Sequence, residues 1–487
     1  MRTISYKLFA ALFLMLWISA CGKSNSSTGT DEPDSDPSLP KVSITVDKAI
    51  KYQTIEGFGF FGAADVWWNS ESGLWNDAWA QKAIGDLGIT MWRNEIYPTS
   101  TPNSPQDASW DKQKGVVKKL KEMATQFNTE LRMIATVWSP PENMKWEAQM
   151  SWAGDENATR NPGNVSTKNG GTLNPNMYNE YADYLNSHIK LYADLGINLY
   201  AISLQNELMF KQTFNSCIYT SVWYNDLLTN VVPRIKSVYP NIKIFGSENM
   251  LEMEGKDENW QWFYHNALKK NSQAAANIDV LAVHGYSDGV AASSGSALAK
   301  MWTNHYEQLA KPMNKVSWMT ETSGYVDDWQ KTNNKPGALN LAMDIHSALF
   351  YGNISAWVWW QGSQADVLGE FNLMKGTTVG KRYYASKHFY RYIRPGAVRV
   401  KSVSDSEELF VTAFENSKKT SHTIVIINTS SDKSLTISGS DLPVTFKMFR
   451  TNATDENCKF ISEIKINSAF VIPANTIITL LAGNDTL

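Results

Sequence analysis

The sequence predicts an α/β chain: a (β/α)8 TIM barrel with a β-sandwich side domain formed from both chain ends. Three observations carry that prediction. Between residues 55 and 360, eight short apolar runs alternate with longer amphipathic segments, the pattern of repeated βα units. After Arg394, Pro395 and Gly396 the hydrophobic period drops to two, and seven short alternating runs follow. Residues 41–47 (KVSITVD) alternate in the same way ahead of the barrel, so this strand is expected to join the C-terminal sheet. A doubly wound open sheet is the alternative, but Gly57, Phe58, Gly59 and Phe60 lack the glycine spacing of a phosphate-binding first turn.

The elements follow in order. Residues 1–21 hold a short basic start, an apolar stretch from Leu8 to Ile18 too short to span a membrane stably, and then Ser19, Ala20 and Cys21. This resembles a bacterial lipoprotein signal, which implies cleavage before Cys21 and a lipid on its thiol. Ordinary secretion with cleavage at the small residues is the alternative. Residues 22–40, rich in Ser, Thr, Gly, Asp and Pro, form a flexible linker. Residues 41–52 are the first strand of the sandwich, 53–394 the barrel and 395–487 the rest of the sandwich. The barrel strands are expected at 55–61, 89–94, 131–137, 199–205, 242–247, 280–284, 316–321 and 354–360. The clearest helices are 112–126, 176–195, 219–239 and 297–310, with apolar residues at three- and four-residue spacing, as in Tyr181, Tyr184, Leu185, His188 and Leu191. Strands of the side domain are expected at 397–403, 409–415, 423–428, 434–438, 444–450, 470–472 and 476–481.

Composition narrows the function. The net charge is −3 over 487 residues and the basic residues are scattered, which does not suit nucleic acid. Three cysteines give no disulfide framework and no CxxC pattern, and seven histidines show no HExxH. No metal and no cofactor are therefore expected. Tryptophan and tyrosine are abundant, 19 and 20, and many Trp lie beside polar loops. Such flat amphipathic rings suit stacking on sugar faces.

The candidate chemistry lies at strand ends. The run from Leu199 ends in Gln205, Asn206 and Glu207, and the run from Lys315 ends in Glu321. In a parallel barrel these tips share one mouth. Two facing carboxylates are what glycoside hydrolysis requires, one to protonate the leaving oxygen and one to attack the anomeric carbon or to activate water. Taken singly, Glu207 could equally cap the next helix and Glu321 could sit in a structural ion pair. Asp65, Glu95, Glu142, Glu248, Glu252 and Asp366 compete, with Glu248 the most serious rival. Arg93 at the second strand end could be a fixed cation for a nucleophile or an ordinary barrel salt bridge. Trp138, His284, Tyr286 and Trp360 would bring rings and donors to the same mouth.

The residues resemble a known family. Ile55 to Gly59, Trp138 to Lys145, Tyr181 to Leu185, Leu199 to Glu207, Trp318 to Glu321 and Lys381 to Gly396 together look like glycoside hydrolase family 30. This retaining group of (β/α)8 enzymes includes bacterial glucuronoxylanases. The resemblance implies that Glu207 is the acid/base and Glu321 the nucleophile. It also implies that Arg93, Trp138, Asn206, His284, Tyr286 and Trp360 line the subsite at the cleavage point. Two departures stand out: Leu208 replaces the proline that usually follows the acid/base, and residues 361–380 lack the arginine that grips a uronic acid branch.

The function expected is a retaining endo-glycosidase cutting the β-1,4-xylan backbone. The alternatives are the same fold acting on a β-1,6-glucan or galactan, or a non-catalytic surface glycan-binding lipoprotein. The expected partners are a polysaccharide and, through a lipid anchor, a membrane; the protein is expected to be an exported monomer on the outer membrane, cell surface or periplasmic face.

Overall fold

The computed structural model describes residues 36–62, 75–98, 108–256, 263–286, 291–332, 334–364, 368–418 and 420–483. Cys21, the signal segment, most of the linker, Asp65 and Asp366 lie outside them.

Eight strands close into a parallel barrel: Gly57–Phe61, Met91–Ile96, Arg132–Val137, Ala201–Ser203, Lys243–Met250, Val280–His284, Val316–Glu321 and Ala356–Trp360. They are buried on both faces, which is why they read as continuous apolar runs rather than alternating ones. Inside the barrel, Met91, Ile134, Phe245, Val280, Trp318 and Val358 form one packed cluster. At its N-terminal end, Glu56 accepts hydrogen bonds from Tyr200 at 2.5 Å and Lys243 at 2.8 Å, while Arg132 and Lys243 lie over the Tyr200 ring. That end is closed, so a site must open at the other.

The outer helices include Ala108–Gln126, Tyr178–Asp194, Ser221–Val238, Ala338–Phe350 and Lys381–Tyr390. Thr220 caps the third of these, its hydroxyl accepting from the Trp223 N–H. The expected helix 297–310 is α-helical only over Ala297–Asn304 and widens to a π-helix over His305–Ala310. Among the described residues no helix is long and apolar enough to cross a membrane.

The side domain differs from a two-sheet sandwich in one respect. Its nine strands form a single continuous sheet, and strands from both edges and the middle share one core that includes Ile44, Leu435, Ile464, Phe470 and Ile478. The sheet must therefore curl over itself. The strand Lys41–Thr54 pairs antiparallel with Val398–Ser404 and parallel with Lys433–Ser438, so the N-terminal segment lies well inside the sheet. A strand not anticipated, Lys459–Lys465, forms one edge. The sheet's other face, with Phe414, Val425, Ile427 and Ile477, packs into the barrel's core cluster. There His388 bridges Thr479 and Thr451, each at 2.7 Å.

Candidate active site

The fourth barrel strand brings Gln205, Asn206 and Glu207 to the mouth. The Asn206 N–H donates to the Val137 carbonyl at 2.7 Å, and the Gln205 amide donates to the Trp138 carbonyl at 2.7 Å. Glu207 then takes a left-handed conformation, φ 43°, which turns the chain out of the strand. A glutamate pays roughly 1–2 kcal/mol for that backbone, and such conformations collect at functional sites. Glu248, skipped where the fifth strand shifts register against the sixth, has φ 55°.

Glu321 ends the seventh strand with a donor on each oxygen: the Tyr286 hydroxyl on Oε1 at 2.6 Å and the Arg93 guanidinium on Oε2. Arg93 is wholly buried. It also donates to Asn206 Oδ1 at 2.9 Å, to Glu248 Oε1 at 2.9 Å and to Thr136 Oγ1 at 3.1 Å. Burial opposes its charge, but Glu248 and Glu321 outweigh that and keep it more firmly protonated than usual. The same guanidinium, with His284 second, holds Glu248 below the usual carboxylate range despite burial. Burial first, and the charge of Glu321 second, push the Tyr286 hydroxyl well up.

His284 joins the two halves. Its Nδ1 lies 3.1 Å from Glu207 Oε1 and 3.9 Å from Glu321 Oε1, and its Nε2 is 3.7 Å from Glu248 Oε1. Burial works against a charged ring, yet the charge of Glu321 and hydrogen bonds to Glu207 and Glu248 raise its pKa to about 9. Donor atoms of Glu207, His284 and Glu321 all lie within 4.8 Å of one another. Three such groups could in principle hold a metal ion. Glu321, however, already accepts from Arg93 and Tyr286 on both of its oxygens, so the arrangement suits a paired-carboxylate site better.

Above this network lies a cleft of about 610 Å³ lined by Glu95, Tyr97, Trp138, Lys168, Asn206, Glu207, Phe214, Asn215, Tyr286, Glu321 and Trp360. Of the residues anticipated, Glu207, Glu321, Trp138, Asn206, Tyr286 and Trp360 line it. Arg93 and His284 lie beneath its floor, fully buried, and are not among the lining residues. Glu248 is likewise under the floor, which removes it as a rival for contact with a substrate. Glu142 and Glu252 are not among the lining residues, whereas Glu95 is. Phe61 stacks on Trp360 with centroids 4.3 Å apart and lies 5.3 Å from Trp138, forming one aromatic wall. Sequence reasoning missed Phe61, although it ends the first barrel strand. It also missed Tyr97, Lys168, Phe214 and Asn215, which lie beyond the strand ends in segments without a periodic pattern.

No family model matches the chain. Among curated proteins it is 26% identical over 409 residues to glucuronoxylanase XynC of Bacillus subtilis, covering 80% of this chain and 79% of that protein. A GH30 endoxylanase from Clostridium papyrosolvens superposes with a TM-score of 0.69 at 24% identity, covering 91% of this chain and 100% of the other. An endo-β1,6-glucanase superposes equally well, TM-score 0.69 at 18% identity, covering 93% and 96%. Sequence kinship and shared fold together support a glycoside hydrolase that resembles the family 30 enzymes.

Proposed function

We propose that the protein is a retaining endo-β-glycosidase that cleaves the β-1,4-xylan backbone, with Glu321 as nucleophile and Glu207 as acid/base. The observation that carries this reading is the carboxylate pair: oxygens of Glu207 and Glu321 within 4.8 Å across one mouth. Retaining glycosidases need a separation of about 5–5.5 Å, and inverting ones about 6.5–9.5 Å to admit a water. Arg93 and Tyr286 donate to Glu321, one on each oxygen, and aim it. Glu321 attacks the anomeric carbon while the bond to the leaving oxygen breaks, and Glu207 gives that oxygen a proton. A proton shared with His284 Nδ1 at 3.1 Å is at hand for the step. Glu207 then removes a proton from water, the water oxygen bonds the anomeric carbon, and Glu321 departs as a carboxylate. Trp138 and Trp360, backed by the buried Phe61, offer rings for the sugar at the cleavage point.

A second reading takes the same residues to a β-1,6-glucan. It is favoured by the likeness to the β1,6-glucanase structure and by the lack of arginine across residues 361–380. The signal-like start and Cys21 belong to the same proposal: an exported, lipid-anchored monomer that meets polysaccharide outside the cytoplasm.

The test is reducing-sugar release from linear xylan, glucuronoxylan, arabinoxylan, β-1,6-glucan and β-1,6-galactan by wild type and Glu321→Gln. Cleavage of xylan by the wild type alone is the expected result. Cleavage of β-1,6-glucan instead establishes the second reading. A wild type that retains polysaccharide but releases no sugar would be a binding protein. Proton NMR of the first product supplies the stereochemistry, and an α anomer appearing first would refute retention.

A further inference from the structure

The cleft continues past the two carboxylates. Lys168, Phe214 and Asn215 line it on a double loop in which residues 167–171, after the third barrel strand, lie against residues 212–218, after the fourth. The two loops are closely tied. The Asn169 N–H donates to the Gln212 carbonyl at 2.7 Å, the Ser216 N–H to the Thr167 carbonyl at 2.9 Å, and the Ile218 N–H to the Gly171 carbonyl at 2.7 Å. The Thr167 hydroxyl donates to Asn215 Oδ1 at 2.9 Å. From beneath, the buried Lys145 ammonium donates to the carbonyls of Ser166 at 2.9 Å and Ser216 at 2.8 Å. A platform fixed in this way presents its side chains in set positions.

Phe214 stands out on that platform. Its side chain is 50% exposed, and among the described residues it stacks on no other ring. Phe61, Trp138 and Trp360, by contrast, cover one another. Lys168 is exposed, and among the described residues it forms no ion pair and is the only cation lining the cleft. An aromatic face with a flexible ammonium beside it matches a pyranose, whose C–H face is apolar and whose rim carries hydroxyls. The platform also follows Glu207 directly in the chain. If Glu207 protonates the leaving oxygen, the double loop borders the leaving side of the bond.

We propose that Phe214 and Lys168 form a binding subsite for a sugar ring beyond the first on the leaving-group side of the cleavage point, with Phe214 stacking on the ring and Lys168 donating to its hydroxyls. This rests on the glycosidase reading above. The experiment measures kcat/KM on linear oligosaccharides of increasing length, and on the polymer, for wild type, Phe214→Ala, Phe214→Tyr and Lys168→Met. Stacking of one ring corresponds to about a three- to tenfold effect. Phe214→Ala should lose that factor on the longer substrates and stay within twofold on the shortest cleaved one, Phe214→Tyr should restore it, and Lys168→Met should show a smaller loss with the same length dependence. Losses equal at every length, or no loss, overturn the subsite while leaving the reaction intact. If the wild type cleaves nothing, the reaction reading falls, and affinity electrophoresis in gels containing linear xylan or β-1,6-glucan decides the subsite. Weaker retardation of Phe214→Ala than of wild type supports it, and equal retardation, or none by either protein, refutes it.

Discussion

Two buried clusters use the same residue types to opposite ends. At the barrel mouth, Glu207, Glu248, Glu321 and His284 gather round Arg93. On the barrel's flank, Glu254 accepts from Asn249 and from the backbone N–H groups of Tyr264 and His265. His265 faces His305 across 3.0 Å, and His305 lies 3.3 Å from Ser317. Both clusters are shielded from water, yet at His284 the carboxylate neighbours overcome burial to give about 9, while burial wins outright at His265 and lowers it to about 4. His305 is held well below its ordinary value by burial and by His265, and burial raises Glu254. The difference is the guanidinium. A fixed cation holds Glu248 ionised despite burial, and the carboxylates gathered there favour the charged imidazole. Without one, hydrogen bonds to neutral groups are the cheaper solution. The mouth is built for charge and the flank for packing.

Removing the carboxylate proposed as nucleophile should have the largest effect. Glu321→Gln is expected to lower kcat on the cleaved polymer by roughly four orders of magnitude with the fold intact, which circular dichroism and a kinetic assay on the same preparation would reveal. A drop of less than about tenfold would place the nucleophile elsewhere. Removing the cation comes next. Arg93→Met leaves Glu248 buried without its guanidinium and should cost about 3–5 kcal/mol in denaturant unfolding.

The flank answers to acid. His265 binds a proton more readily unfolded, near its ordinary 6.5, than folded, at about 4. Its contribution is therefore complete above about pH 6.5 and shrinks as the pH falls toward 4, on the order of 3 kcal/mol in total. Urea midpoints measured across that window should fall, and His265→Asn should flatten the slope. The mouth answers to base. With His284 raised to about 9, its contribution is complete below about pH 6.5 and is lost as the pH climbs through 9. The kcat/KM profile should carry a basic limb there, and His284→Phe should remove that limb. A limb that survives the substitution belongs to another group.

Much of this was legible in the sequence, for a physical reason. Barrel strands are buried on both sides, so their apolar runs and polar tips stand out, and Glu207 and Glu321 are visible as the ends of such runs. The cation under Glu321 was legible too, because Arg93 closes a run in the same way. Pairing order was not legible: alternation marks a strand without saying which strand lies beside it. Lys459–Lys465 escaped because most of its residues are exposed or half-exposed, and its charges erase the alternation. The double loop carrying Phe214 escaped because its order comes from hydrogen bonds between two irregular segments. No periodicity records such bonds.

The strand Lys41–Thr54 carries a consequence for how the chain is made. Ser43 bonds Asp405, 362 residues away. A ribosome releases the amino end first, so this strand must wait through the synthesis of the whole barrel before its neighbours exist. Until then its edges are open and its apolar face is bare, a state that invites pairing with another chain. Completion of the side domain thus requires strands from both ends of the described chain, and it closes the polypeptide into a loop held by one sheet.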